Sequence, residues 1–363
     1  MTQALYNFGP GPAMLPASVL EQVQREMLDY QGTGVSIVEL SHRGPVFFQL
    51  LDDARALFRE LTGLPDSHTI LFMHGGAQMQ FSAVPLNLMA SKPAHRAQYA
   101  ITGKWGRLAE AEARKYGNTS VLLDGKDSDY TRVPEWDSTQ VDPEASYVHI
   151  TTNNTLYGTQ WSEIPDTGNV PLAADATSDI LSRQFDYSRF GVLFAGLQKN
   201  LGPAGAAVVL VRNDLFEHAL PETPKLLDYT IFRNNRTMPN TINTFAVYVM
   251  KLVLEWVKAE GGVEQMEARN SRKSARLYGV LDDSGFYLPS AHPESRSQMN
   301  VIFHLPSDEL LQRFLSAADA AGFYAVKGHA EVGGIRASIY NAMPYEGVEA
   351  LAQFMLEFER RNG

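Results

Sequence analysis

Between residues 69 and 211 the chain repeats one arrangement, a short apolar run followed by a helical or looping stretch, and this alternation restricts the fold more than any other feature. The runs fall at residues 69–73, 98–102, 120–123, 147–151, 170–175, 191–195 and 206–211. Several are apolar at consecutive positions, as a strand buried on both faces must be; a strand with one wet face would alternate. Seven such strands separated by helices predict an α/β fold built on a mostly parallel sheet flanked by helices. The opening Phe8-Gly9-Pro10-Gly11-Pro12 is a turn-rich segment, and helices are expected from Val19 up to Tyr30 and over residues 45–61. Helical spacing resumes over 244–258, breaks at Gly261-Gly262 and returns over 263–281. Strands near 299–305 and 334–339 follow, with helices over 308–321 and 347–361. A chain of 363 residues exceeds the size at which one core keeps growing, so a large domain over residues 17–260 and a smaller C-terminal α/β domain over 261–363 are expected.

Composition narrows the function. The net charge of −10 disfavours nucleic acid and anionic membranes as partners, so an acidic substrate would need cations placed locally. The absence of cysteine removes disulfides, thiolate metal sites and thiol nucleophiles together, and suits a reducing compartment. The nine histidines show no metal-ligand spacing, so no metal is expected. Residues 1–16 carry no basic and apolar leader pattern, and no run approaches the length of a membrane span. A cytoplasmic enzyme is the expectation.

Lys199 ends the apolar run Gly191-Val192-Leu193-Phe194-Ala195-Gly196-Leu197-Gln198 and precedes Asn200-Leu201-Gly202-Pro203-Ala204-Gly205. An ammonium held between a buried strand and a tight turn loses solvation, which lowers its pKa and frees the amine for imine chemistry. Position alone favours the plainer reading, a strand-end lysine reaching for solvent. Asp175 ends another predicted strand, where open α/β sheets bind ligands, although an aspartate there is also an ordinary helix cap. Together, a lysine and a carboxylate on strand ends meet the needs of pyridoxal phosphate: the lysine forms the imine and the carboxylate keeps the ring nitrogen protonated. The run from Thr69 to Met73, then His74-Gly75-Gly76-Ala77-Gln78, reads as strand, small-residue turn and helix, and leaves backbone N–H groups uncovered for a phosphate.

Six colinear blocks resemble the phosphoserine aminotransferases, class V of the fold-type I pyridoxal phosphate aminotransferases. They are Asn7-Phe8-Gly9-Pro10-Gly11-Pro12-Ala13-Met14-Leu15-Pro16, Glu39-Leu40-Ser41-His42-Arg43-Gly44, Ala173-Ala174-Asp175, the run from Gly196 to Gly205, Lys327-Gly328-His329, and the run from Val332 to Ala342. The resemblance implies a Lys199 aldimine, Asp175 on the pyridinium nitrogen, and Trp105 stacked on the ring. It places Ala77, Gln78, Thr155 and Gln198 in the cofactor pocket, and has Asn240 and Thr241 reach the phosphate from the neighbouring subunit of a homodimer. Residues 1–16 would then be an N-terminal segment near the active site. For the substrate it implies Arg336 on the α-carboxylate, with His42, Arg43 and His329 on the distal acidic group.

The implied reaction is reversible, ping-pong transamination between L-glutamate with 3-phosphohydroxypyruvate and 2-oxoglutarate with O-phospho-L-serine. A second activity on the phosphorylated hydroxythreonine of pyridoxine biosynthesis is compatible with it. Two positions depart from the commonest pattern: Gln78 and Ala330 stand where many relatives carry arginine. Ala330 brings an alanine–glyoxylate aminotransferase into view as a rival, and a non-catalytic cofactor or phosphometabolite sensor is a rival of another class.

Overall fold

In the computed structural model residues 5–363 are described, so the first four residues of the expected 1–16 segment lie outside the described residues. All seven apolar runs form strands: β1 (His68–His74), β2 (Arg96–Ile101), β3 (Asn118–Asp124), β4 (Tyr147–Thr151), β5 (Leu172–Asp175), β6 (Val192–Gly196) and β7 (Ala206–Arg212). They make one sheet in the order β1-β7-β6-β5-β4-β2-β3. The order places β7 between β1 and β6 and antiparallel to both, while the neighbours from β6 to β3 run parallel. The fifth strand starts two residues later than the apolar run, because Pro171 has no N–H to give and enters the ladder only through its carbonyl, which accepts from Val148.

The double-sided apolar pattern has the expected consequence. Along β1, Ile70 and Phe72 enter one buried cluster while Leu71 and Met73 enter another. Helices Pro45–Thr62 and Thr244–Ala259 cover the first face, through Phe47, Leu50, Phe58, Val247 and Leu254. Helices Ala77–Leu88 and Lys104–Ala113 cover the second. Each fully buried large apolar side chain contributes about 1.5–3 kcal/mol of transfer free energy, so the two faces are the main stabilising layers. At the outer edge β3 is largely exposed and carries Asn118, Thr119, Ser120 and Asp124, a polar margin that discourages further strand pairing.

A third cluster holds the C-terminal elements together. There β8 (Leu288–Pro289), β9 (Asn300–His304) and β10 (Ile335–Ser338) form an antiparallel sheet packed on helices Gly262–Asp283 and Tyr345–Asn362. The N-terminal stretch joins it: Tyr6–Asn7 pairs with Phe323–Tyr324, and Phe8 packs inside the cluster. The first helix, Ala17–Glu26, stops four residues short of Tyr30, which belongs to a separate short turn. A short helix, Tyr229–Asn234, was not expected from the sequence. No helix among the described residues is long and apolar enough to cross a membrane.

Candidate active site

The carboxyl ends of β1, β2, β4, β5 and β6 lie on one edge of the sheet, and a cavity of about 470 Å³ opens there between it and the C-terminal sheet. Asp175 is the last residue of β5, and Lys199 follows the end of its parallel neighbour β6. Both are buried, at 5% and 9% exposure. Lys199 Nζ donates to Thr155 Oγ1 at 2.5 Å. Burial pulls the ammonium down to about 8; the Asp175 charge opposes that shift and the Arg336 guanidinium adds to it. Burial also pushes the Asp175 carboxyl up, against a hydrogen bond from the Thr177 N–H to Oδ1 at 3.0 Å and the charge of Lys199. Asp175 therefore does cap the following turn with one oxygen, and among the described residues it makes no salt bridge.

Three further features shape the walls. Gly75 and Gly76 take φ of 86° and 95°, a left-handed region closed to most side chains, and deliver the chain into helix Ala77–Leu88. First-turn N–H groups have no intrahelical acceptor, and this helix has no side-chain cap either, so those at Ala77 and Gln78 beside the cavity are left for a ligand. Trp105, in the first turn of helix Lys104–Ala113, lines the cavity with a buried Nε1 that has no hydrogen-bond partner. Arg336, on β10, is 6% exposed, forms no salt bridge among the described residues and leaves Nε unpaired. A buried guanidinium at a cavity wall with no counter-charge calls for an anionic ligand.

Gln198 and His329 complete the expected residues that meet here, beside Ala77, Gln78, Trp105, Thr155, Asp175, Lys199 and Arg336. His42, Arg43, Asn240 and Thr241 do not line the cavity. They gather instead in a patch beside the end of β1: Thr241 Oγ1 lies 3.5 Å from His42 Nε2, Arg43 Nε donates to the same nitrogen at 3.3 Å, and His74 Nε2 lies 3.2 Å from Asn240 Oδ1. Reasoning on individual side chains missed Pro10 and Gly11, which line the cavity. A Cβ on Gly11 would stand 3.4 Å from the Cγ atoms of both Gln198 and Lys199. The Gly-Pro run was the available signal, since a close approach of backbone to a functional lysine needs a residue without a side chain.

The donor set fits pyridoxal phosphate. An uncapped helix N-terminus behind two left-handed glycines suits a phosphate; an amine of lowered pKa suits a carbonyl; a buried carboxylate with no salt bridge among the described residues suits a protonated ring nitrogen. Fold and site thus define a pyridoxal phosphate-dependent aminotransferase, and residues 5–351 match the family Aminotransferase class-V. The phosphoserine aminotransferase of Geobacillus kaustophilus (strain HTA426) is 49% identical over 357 residues, 98% of each chain. The solved phosphoserine aminotransferase from Bacillus circulans subsp. alkalophilus superposes with a TM-score of 0.96 at 43% identity, covering 99% of both chains. The pyridoxal phosphate-bound phosphoserine aminotransferase from Trichomonas vaginalis does so with 0.92 at 33% identity, over 97% of this chain and 100% of that one. The chain belongs to the phosphoserine aminotransferases of class V, and its cofactor is pyridoxal phosphate.

Proposed function

We propose that the chain catalyses reversible transfer of an amino group between L-glutamate and 3-phosphohydroxypyruvate, giving 2-oxoglutarate and O-phospho-L-serine. The observation that carries this reading is the meeting of Lys199, Asp175 and an unpaired, buried Arg336 in one cavity. When bound, pyridoxal phosphate supplies an electron sink that lets the bond between the substrate Cα and its hydrogen break. Lys199 holds the cofactor and, when released from it, takes and returns the proton at Cα, for which an amine titrating near 8 is suited. Asp175 keeps the ring nitrogen positive, and Trp105 covers the ring face. Ala77 and Gln78 give backbone N–H groups to the phosphate, with Thr155 and Gln198 as neighbours. Arg336 grips the α-carboxylate with its planar fork. His329 takes the distal phosphate or carboxylate, assisted by His42 and Arg43. Asn240 and Thr241 serve the phosphate of the neighbouring subunit, which makes a homodimer the working unit. We also place the enzyme in the cytoplasm, a reading supported by the cysteine-free sequence.

A substrate panel tests the assignment. Phosphoserine with 2-oxoglutarate should turn over well ahead of alanine with the same acceptor, and equal or greater alanine activity would overturn the substrate class. Phosphohydroxythreonine belongs in the panel as the second substrate the family resemblance permits. Lys199→Ala should abolish transamination and the visible absorption of the bound cofactor; a fully active variant would defeat the mechanism.

A further inference from the structure

At the mouth of the cavity the turn from Gly328 to Gly334 is closed on itself, Gly328 N–H donating to Gly334 O at 2.9 Å and Gly333 N–H to His329 O at 2.7 Å. One side chain ties this turn to a helix of the large sheet and to the turn that holds Tyr157. Glu331 Oε2 pairs with Lys104 Nζ at 2.8 Å, while Oε1 accepts from Arg107 Nη2 at 3.1 Å and from the Tyr157 hydroxyl at 2.9 Å. The backbone N–H of the same residue donates to His329 Nδ1 at 3.1 Å. An amide N–H can only donate, so Nδ1 is the acceptor and the neutral ring carries its proton on Nε2. Burial, with Lys104 and Arg336 near, lowers the His329 pKa against the opposing charge of Glu331, and favours that neutral form.

A single exposed ion pair is worth little, and the Glu331 side chain is 33% exposed. Three donors from two elements converging on one carboxylate are a different case, because each fixes the geometry the others use. The Lys104 hydrogen bond, with those of Tyr157 and Arg107, holds the Glu331 carboxyl down at about 2, so the strap is charged at every working pH. Ala330 offers no polar group to the cavity, which leaves His329 as the side-chain donor of this turn.

We propose that Glu331 is a positioning residue for substrate recognition: it straps the 328–334 turn to helix Lys104–Ala113 and to Tyr157, and fixes the Nε2–H of His329 as the donor presented to the substrate's distal acidic group. This rests on the recognition role given to His329 above. A double-mutant cycle on the holoenzyme separates the two. Glu331→Ala should raise KM for phosphoserine about tenfold with kcat within about twofold and the cofactor absorption unchanged, the size expected for one misplaced charge-assisted hydrogen bond. Glu331→Gln keeps an acceptor and should raise KM less, about threefold. Adding Glu331→Ala to His329→Ala should change KM no further. Unchanged KM in Glu331→Ala beside a raised KM in His329→Ala overturns the strap and leaves the recognition role standing, and additive effects likewise overturn it. Unchanged KM in His329→Ala defeats the recognition role, and the strap falls with it.

Discussion

Lys199 shows how far a single position can be reasoned. Its titration near 8 in place of 10.5 comes from burial, and Asp175 works against that shift. The amine is therefore free over a wide range in which an exposed lysine would be charged. For cofactor-free protein, the rate at which added pyridoxal phosphate restores visible absorption should climb with pH to a midpoint near 8 and level off above about 9. A midpoint near 10.5 would show that the side chain is solvated after all. In Asp175→Asn the charge that raises the lysine's pKa is gone, so the midpoint should move to lower pH. Lys199 and Asp175 stood out in the sequence because each ends a strand-like run where polar groups are scarce, whereas Arg336 was singled out only by the resemblance of its block to the family. Glu331 was not, since nothing in its neighbours along the chain announces Lys104, Arg107 and Tyr157; those contacts exist only once the turn folds against the helix.

At the scale of elements, apolar patterning located all seven strands, and its errors have local causes. Pro171 trimmed β5, and the helix from Ala17 stopped at Glu26 although apolar residues continue, because Asp29 and the left-handed Gln31 turn the chain away. Two-residue strands such as Tyr6–Asn7 are too short to carry a period and depend on the partner they meet. One helix illustrates an element fastened by a polar group. In the middle of Gly262–Asp283, Lys273 is 2% exposed and gives Nζ to the carbonyls of Ile339 at 2.9 Å, Tyr340 at 2.7 Å and Met343 at 3.1 Å. It thereby closes the turn between β10, which bears Arg336, and helix Tyr345–Asn362. Lys273→Met fills similar volume but strands the Ile339 and Met343 carbonyls, while Tyr340 O keeps the Met343 N–H, and should cost about 2–4 kcal/mol, read as a lower Tm. An unchanged Tm would mean that those carbonyls need no donor from the helix.

For the whole molecule, two separate surfaces have to be reconciled with one reaction. The cavity gathers Lys199, Asp175 and Arg336, whereas His42, Arg43, Asn240 and Thr241 form their own patch, half-buried at His42 and Asn240 and exposed at Arg43 and Thr241. Val35, Val38 and Val46, near His42 and Arg43 along the chain, are 39%, 53% and 38% exposed, apolar surface better covered than wet. The proposed twofold dimer would account for both, because an isologous contact would carry each patch to the partner's cavity. The strand and helix pattern of one chain carries no signal for such a contact, which has no sequence separation to measure; the expectation came from the resemblance of the Asn240-Thr241 pair to its family counterpart. Complementation decides it. Lys199→Ala lacks the amine, and a variant with both Asn240→Ala and Thr241→Ala lacks the donated phosphate ligands, so each alone should be inactive or nearly so. Co-expressed in equal amounts, half of randomly formed dimers are mixed and each mixed dimer holds one intact site, so activity should return to about a quarter of wild type. If the patch served its own chain's cavity, every site in the mixture would carry one lesion or the other, and activity would stay at the average of the two parents.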